Sequence, residues 1–467
     1  MALHFSRDTK VFCKQGSNVW EIPVLDGFSF SQATNASEIT LNEMESTAGV
    51  SRRARQMFND SYAPAEWSFS TYARPNYGTV AEEALWANFI AANSYSGTWS
   101  AGVTVSTGST TYDFDDSNKA ALGTFDLFFV MGGAGDTDNN YADGAGLTIY
   151  KIEGCVANEA SIDFEIDGIA TINWSGFGKI ITEEASFDGS GAIDRAVTST
   201  SNFIRNRLTT LSCVSSISGS STTYLLTLTG GNVTFTNNIT FLTPETLGIV
   251  NQPLGHITGT RSVSGNFTCY LDSTNDKSAE LWSDIIGATS TVTNSFDMAF
   301  NIGGTTAPNI VIDIPTAHLE VPTHSIEDVI SLEVNFHALP SSIDQTNEAT
   351  IIYTGVQSGS TPTLSTALGY TEVTSATLPG NLTITATTTN ANGGIFSATL
   401  TSGNGNEVQT YSAEVVSNTA IITVAQAAVN ALTADTDEDA AFTVATAVQT
   451  ATAGRDTDSD TVTKNIS

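Results

Sequence analysis

Side chains able to do chemistry are present in this chain, but not at spacings that would build a reaction centre. Five histidines occur, and His318, His324 and His337 lie near one another at the ends of predicted strands. A zinc or catalytic site needs ligands that converge at fixed spacing. The matching stretch of an earlier repeat, Glu153 to Trp174, has no histidine, so structural histidines are the better reading. Cys13, Cys155, Cys213 and Cys269 are far apart, with no C-x-x-C pair, and read as reduced, partly buried thiols. No G-x-S-x-G, phosphate-cradling glycine loop or H-E-x-x-H is present. Asp136-Thr-Asp-Asn-Asn140, with Asp143-Gly144 after it, superficially resembles a calcium loop. Tyr141 stands where such a loop turns on glycine, and Leu147 where it closes on glutamate. Carboxylates are abundant enough for a glycosidase-like pair, but none is singled out. Asp126 and Asp297 recur in matching Phe-Asp-Leu/Met contexts, where capping or cross-strand pairing is the expected role. The sequence therefore predicts no enzyme, no cofactor and no metal.

Charge narrows the partners. Only 17 Lys and Arg face 49 Asp and Glu, for a formal net charge of −32. That field opposes sequence-specific nucleic-acid binding. It suits a wall that guides DNA without holding it, and equally a surface selected for solubility or salt tolerance. The start, Met1 to Lys10, lacks a signal-peptide apolar core, and no apolar run is long enough for a membrane span. The Asn-x-Ser/Thr sequons follow from a composition rich in those residues.

These residues must be positioned by β-structure. Hydrophobic residues make up 40% of the chain and aromatics 9%, enough for sizeable cores. The wealth of Thr, Ser, Gly, Val and Ile favours strands joined by turns, and 467 residues suggest two or three domains.

The chain also contains itself twice. Phe125-Asp-Leu-Phe-Phe-Val-Met-Gly-Gly133 returns as Phe296-Asp-Met-Ala-Phe-Asn-Ile-Gly-Gly304. Ala84-Leu-Trp-Ala-Asn-Phe-Ile-Ala-Ala92 returns as Glu280-Leu-Trp-Ser-Asp-Ile-Ile-Gly-Ala288, and Phe69-Ser-Thr-Tyr72 as Phe267-Thr-Cys-Tyr270. Gly27-Phe-Ser-Phe-Ser31 matches Asn232-Val-Thr-Phe-Thr236, and Cys13 aligns with Cys213. The preserved order makes residues 1–185 and 186–345 two copies of one module. Each reads as a short helix over a mostly antiparallel sandwich or barrel, with a core that includes Trp67, Phe69, Tyr72, Leu85 and Trp86 in one copy. Phe267, Tyr270, Leu281 and Trp282 are its counterparts in the other. Ile39 to Phe69 and Ile239 to Phe267 show little periodicity and read as long functional loops. The first contains Arg52, Arg53 and Arg55, either a solvated charge run or an interface that seeks carboxylates. Residues 346–467 read as a third, Thr- and Ala-rich β-unit, with a sandwich as one candidate form. Its stretch after Gln426 could hold a helix, and its last dozen residues read as frayed.

The segment Gln56-Met-Phe-Asn-Asp-Ser-Tyr-Ala-Pro-Ala-Glu-Trp-Ser-Phe-Ser-Thr-Tyr72 resembles the major tail tube proteins of siphophages that carry a duplicated tube module and an added domain. Asn35 to Asn42, Ile172-Asn-Trp-Ser-Gly176 and Asn237 to Pro244 fit the same family. The resemblance covers residues 1 to about 345 and implies a mainly β fold of two tandem tail-tube β-sandwich or barrel modules, each with a short flanking helix, plus a small C-terminal β-domain that is immunoglobulin-like in that family. It implies homotrimeric, pseudo-hexameric rings stacked into a hollow tube that conducts phage DNA, in a virion tail assembled in the host cytoplasm. Tape measure, baseplate and tail terminator proteins would be its other partners, and the chain would not insert in a membrane. An inter-subunit or inter-ring loop would carry Arg52, Arg53, Arg55, Phe58, Asn59 and Asp60. Ser29, Ser31, Thr234 and Thr236 are the candidate lumen-facing positions. A cell-surface, adhesin-like tandem β-protein is the main alternative, and a β-rich polysaccharide hydrolase the second.

Overall fold

The computed structural model describes residues 4–464, apart from 39–56, 93–94, 100–101, 107, 115–121, 134–138, 143–145, 196–199, 216–220, 248, 288–294, 344, 357–361, 371, 374–379, 392, 403–407, 433–441 and 451–453. The fold is mainly β. The first repeat runs β1 (Thr9–Gln15), β2 (Asn18–Ile22), β3 (Ser29–Glu38), β4 (Met57–Tyr72), α1 (Glu83–Phe89), β5 (Val103–Ser106), β6 (Ser109–Asp113), β7 (Phe125–Met131), β8 (Asn140–Ala142), β9 (Thr148–Glu165), β10 (Thr171–Gly178), β11 (Ile180–Glu183) and β12 (Ser186–Asp188). The second runs β13 (Thr210–Ser215), β14 (Thr222–Leu225), β15 (Leu228–Thr236), β16 (Ile239–Leu242), β17 (Gly255–Thr258), β18 (Ser262–Tyr270), α2 (Ser278–Gly287), β19 (Phe296–Ile302), β20 (Asn309–Leu319), β21 (Thr323–Ser325) and β22 (Ser331–Ala338). After β23 (Thr350–Thr354) come β24 (Thr363–Leu368), β25 (Glu372–Val373), β26 (Leu382–Thr389), β27 (Ile395–Thr401), β28 (Val408–Glu414), β29 (Thr419–Val424), α3 (Gln426–Leu432), β30 (Phe442–Thr450) and β31 (Gly454–Lys464).

The two repeats pair their strands alike. Cys13 on β1 lies opposite Leu127 on β7, and Cys213 on β13 lies opposite Met298 on β19. Phe125, Leu127 and Phe129 alternate into the core, as do Phe296, Met298 and Phe300, because successive strand residues face opposite sides. Gly132 and Gly303, at φ of 89° each, end those strands in a conformation that suits glycine. All seven residues of α1 are buried. Trp86 packs on Trp174, 4.7 Å between ring centres, and on Phe235 of the second repeat at 5.6 Å. One core therefore spans both repeats.

Several expectations need correction. The stretch from Ile39 to Phe69 is not one long loop, because β3 and β4 form a hairpin whose β4 continues unbroken from Met57. Strand pairing sets Ser29 opposite Ser68 and Asn232 opposite Asn266, so Ser29 corresponds to Asn232, two residues from the match read in the sequence. A shift of two keeps every side chain on its own face. The expected frayed end is instead β31, nine registered pairs long against β30.

Residues 350–354, assigned by sequence to the third unit, belong to the main sheet. β23 pairs with β20 along one edge and with β6 along the other. Ile351 and Tyr353 are fully buried, and the Tyr353 hydroxyl accepts the Trp86 Nε1–H at 2.7 Å. Beyond it, a three-stranded and a five-stranded sheet enclose a separate core of Leu382, Phe396, Val424, Val444 and Val448. Gln449 Nε2 reaches the Tyr77 carbonyl at 2.6 Å, Ser412 Oγ the Ser96 carbonyl at 3.0 Å, and Arg195 Nη1 the Gly393 carbonyl at 2.8 Å. Gly78 and Gly97 permit this approach: a Cβ on either would fall 2.4 Å from Gln449 Cδ or 2.7 Å from Ser412 Oγ.

Candidate functional site

The arrangement that stands out is one sheet face that crosses both repeats. β3, β4, β10, β9, β15, β18, β22 and β21 follow one another through antiparallel pairings. The step from β9 to β15 joins the repeats, with Asn232 opposite Asp163 and Thr234 opposite Ser161. One side of this sheet carries Trp67, Phe69, Ile172, Trp174, Ile162, Val233, Phe235, Phe267 and Val334 into the core. The alternation sends Ser70, Asn173, Ser161, Thr234, Ser264 and His337 to the other side as a row of direct neighbours. Parallel to it runs Asp163, Asn232, Asn266 and Asn335. These positions hold no Lys or Arg, and His337 is the one group among them able to gain positive charge.

The face is hydrogen-bonded to itself. Thr234 Oγ1 donates to Ser161 Oγ at 3.1 Å and Ser161 Oγ to Asp163 Oδ1 at 3.2 Å. From the other direction Ser70 Oγ donates to Asn173 Oδ1 at 2.7 Å, and Asn173 Nδ2 to Asp163 Oδ2 at 2.6 Å. In the second repeat Asn266 Nδ2 reaches Glu333 Oε1 at 3.4 Å and Asn335 Nδ2 reaches Glu320 Oε2 at 3.0 Å. The Asn335 and His337 hydrogen bonds hold the Glu320 carboxyl below its ordinary range.

The sheet ends in two strand edges. Among the described residues β3 pairs as a strand with β4 alone, and β21 with β22 alone. The ends of the strands also differ. Beyond Thr236 the β16–β17 hairpin carries a fully exposed Leu247 and two-thirds exposed Ile249 and Leu254. It is tied to β4 by Tyr62 N–H to the Asn251 carbonyl at 2.9 Å. At the Leu228 end lies a cleft of about 770 Å³ lined by Thr229, Tyr270, Ile326, Glu327, Asp328, Val329 and Ser331.

Against the sequence-derived sites, Ser29 and Ser31 are exposed on β3, and Thr234 and Thr236 are half-buried on the same face. Trp67, Phe69, Leu85, Trp86, Phe267 and Leu281 are buried. Tyr72 and Trp282 are only half-buried, and Tyr270, expected in the core, is 42% exposed because it closes the end of β18. Phe58, Asn59 and Asp60 lie on β4 rather than in a loop. Arg52, Arg53 and Arg55 fall outside the described residues, as do Asp136, Asp138 and Asp143 of the calcium-like segment. Sequence reasoning missed Asp163, Asn266, Glu333 and Asn335. Their signal was the polar half of the same alternation that revealed the core.

The chemically capable groups serve structure. Asp126 accepts the Gly154 N–H at 2.9 Å and pairs with Lys151 at 3.1 Å. All four cysteines are buried. Burial pushes the Cys213 and Cys269 thiols up to about 12 and raises Cys13 and Cys155 likewise, the opposite of an activated nucleophile. Buried Arg195 pairs with Glu83 at 3.3 Å. Among the described residues no three His, Cys, Asp or Glu side chains converge as a metal site, and no helix is long and apolar enough to cross a membrane.

A duplicated β-chain with a polar sheet face across both repeats, and two strand edges without strand partners among the described residues, fits a structural protein built for assembly. Comparison with known proteins narrows this class. The family described as phage tail tube protein matches residues 132–338. Tail tube protein pb6 of Escherichia phage T5 is 31% identical over 369 residues, 74% of this chain and 75% of pb6. The chain belongs to the phage tail tube proteins: it is a structural subunit of the virion tail that self-assembles into a tube, and not an enzyme. The adhesin-like alternative finds no support.

Proposed function

We propose that three copies of this chain close into a ring through the same junction that joins its two repeats, and that the polar face lines the bore. Residues 1–185 and 186–345 are then two wall units, and 346–467 an outer unit that lends β23 to the wall. The observation that carries this reading is the β9–β15 pairing, an internal copy of the contact needed between chains. Edge-to-edge pairing gives the otherwise exposed ladders of β3 and β21 their partners.

The internal junction also supplies the register. Ser29 corresponds to Asn232. Ser325 corresponds to Asp163, since Ser325 lies opposite Ser331 and Asp163 opposite Thr171, each paired in turn with Tyr270 or Tyr72. Ser29, Phe30 and Ser31 of one copy thus meet Ser325, His324 and Thr323 of the next. Eight strands per chain at about 4.8 Å spacing give three chains a backbone bore of about 37 Å, and tilt widens it. Short Ser, Thr and Asn side chains leave room there for a DNA duplex, which a face without fixed cations does not retain.

Rings stack head to tail, as an open heterologous contact requires. The exposed Leu247, Ile249 and Leu254 of one ring suit the apolar Ile326 and Val329 at the opposite end of the next. Arg52, Arg53 and Arg55 belong by sequence to the connection between β3 and β4 and suit the Glu327–Asp328 rim. The tape measure protein occupies the bore before DNA, and baseplate and tail terminator proteins meet the two tube ends.

The test is a chain with Ser31→Cys and Thr323→Cys. Paired strand positions fall within disulfide reach, roughly 4.4–6.8 Å between Cα atoms. Oxidised tubes should yield covalent trimers on denaturing gels, while either single variant stays monomeric. Monomers from intact double-variant tubes would rule out this edge contact.

A further inference from the structure

We propose that Asp163, aided by Glu320 and Glu333, is a positioning residue that turns the donors of the bore face away from passing phosphates. This rests on the reading that the face lines the bore. A wall of Ser, Thr and Asn is not inert merely because its protein is acidic. Those side chains are common phosphate ligands, and exposed charge is screened within about 8 Å at physiological salt. What matters at contact distance is whether each N–H and O–H is already committed.

At the junction of the repeats the hydrogen-bonded donors of this face run toward carboxylates. The single hydroxyl proton of Thr234 goes to Ser161, and that of Ser161 to Asp163 Oδ1. The proton of Ser70 goes to Asn173, and one of the two Asn173 amide hydrogens goes to Asp163 Oδ2. Both Asp163 oxygens therefore terminate a chain that starts on β4 and β15 and crosses the junction between the repeats. Asn266 and Asn335 each commit one amide hydrogen, to Glu333 and Glu320 respectively. An ionised carboxylate accepts and cannot donate, so it fixes the direction of each chain. With an amide at position 163 the direction is lost, and the freed donors face the bore.

The experiment uses phage particles carrying Asp163→Asn, with Glu165→Gln as the charge-matched control two residues along the same face. DNA ejection is timed in vitro on single particles, and melting of the tubes is followed in parallel. Asp163→Asn should slow ejection about fivefold, the effect of one ordinary hydrogen bond, while Glu165→Gln stays near wild type. Adding Asn173→Asp to Asp163→Asn should restore much of the rate, because a carboxylate at 173 again accepts from Ser70 and from the neighbouring amide, a rescue that a loss of folding would not allow. Equal slowing by Asp163→Asn and Glu165→Gln would overturn the proposal, because charge alone would then govern. Glu165→Lys separates the two levels of the argument. If a cation there leaves ejection unchanged, the face does not meet DNA and the proposal falls with that placement. If Asp163→Asn tubes do not assemble, Glu333→Gln against Glu165→Gln gives the same comparison in the second repeat. Slowing by Glu333→Gln alone then supports the proposal, and equal slowing by both overturns it.

Discussion

Cutting the chain on either side of β23 should give opposite outcomes. A chain ending at Gln345 follows the boundary suggested by composition, whereas one ending at Val356 keeps the strand. β23 makes five registered pairs with β20 and five with β6, so its loss bares an edge on each repeat. It also removes Ile351 and Tyr353, both fully buried. Core truncations cost about 2–5 kcal/mol for isoleucine and about 3–5 for large aromatics, so the pair is worth about 5–10 kcal/mol. That rivals the whole stability of a typical domain, about 5–15 kcal/mol. The shorter chain should be insoluble or should melt without a cooperative transition in circular dichroism. The longer chain gives up only a few polar contacts at Tyr77, Ser96 and Arg195, and should fold cooperatively and form tubes under the electron microscope. A soluble, cooperatively melting, tube-forming chain ending at Gln345 would refute the reasoning that β23 belongs to the wall.

Other consequences follow from single side chains. Burial raises the Glu82 carboxyl to about 8, against a smaller opposing effect of Arg74. The folded state thus holds a proton that the unfolded state releases above the ordinary 4.5, and stability falls as pH rises from about 4.5 to 8, by up to roughly 1.4 kcal/mol per unit. Glu82→Gln should flatten that dependence in melting curves at pH 5 and 8; an unchanged slope would contradict it. Tyr353→Phe leaves the Trp86 N–H buried without its partner and should destabilise by about 1–3 kcal/mol in denaturant titrations. Gly265→Ala would bring a Cβ within 2.1 Å of the Asn232 carbonyl and should destabilise by a similar amount, about 1–3 kcal/mol, in the same titrations. The four thiols should resist Ellman's reagent in folded protein and react after denaturation.

What could be read in advance was whatever two-residue alternation marks against a core. Phe296-Asp-Met-Ala-Phe declared itself because burial selects every second residue, and its earlier copy Phe125-Asp-Leu-Phe-Phe because it is buried on both faces, with Phe128 and Val130 in a second core. The outer half of β4 did not, since Met57, Phe58, Asn59 and Asp60 are all exposed and solvent imposes no alternation. The β31 strand was hidden for another reason. Its Asp456 and Asp458 look like a solvated run, yet each accepts a backbone N–H from β24, at Leu364 and Thr366. The place of β23 depends on two distant edges that no local pattern encodes. The polar face was half legible: Ser29, Ser31, Thr234 and Thr236 follow from the strands that carry Phe30 and Phe235. The carboxylates that close its hydrogen-bond chains come from β9, β22 and the residue that follows β20, and only the register brings them there.

Electron cryomicroscopy of tubes assembled from the full chain tests the central claim most directly. The account predicts rings of three chains, each ring an unbroken barrel of strands, with Ser70, Asn173, Ser161 and Thr234 on the bore and residues beyond Val356 outside. Rings of six chains, or a bore lined by any other face, would contradict it.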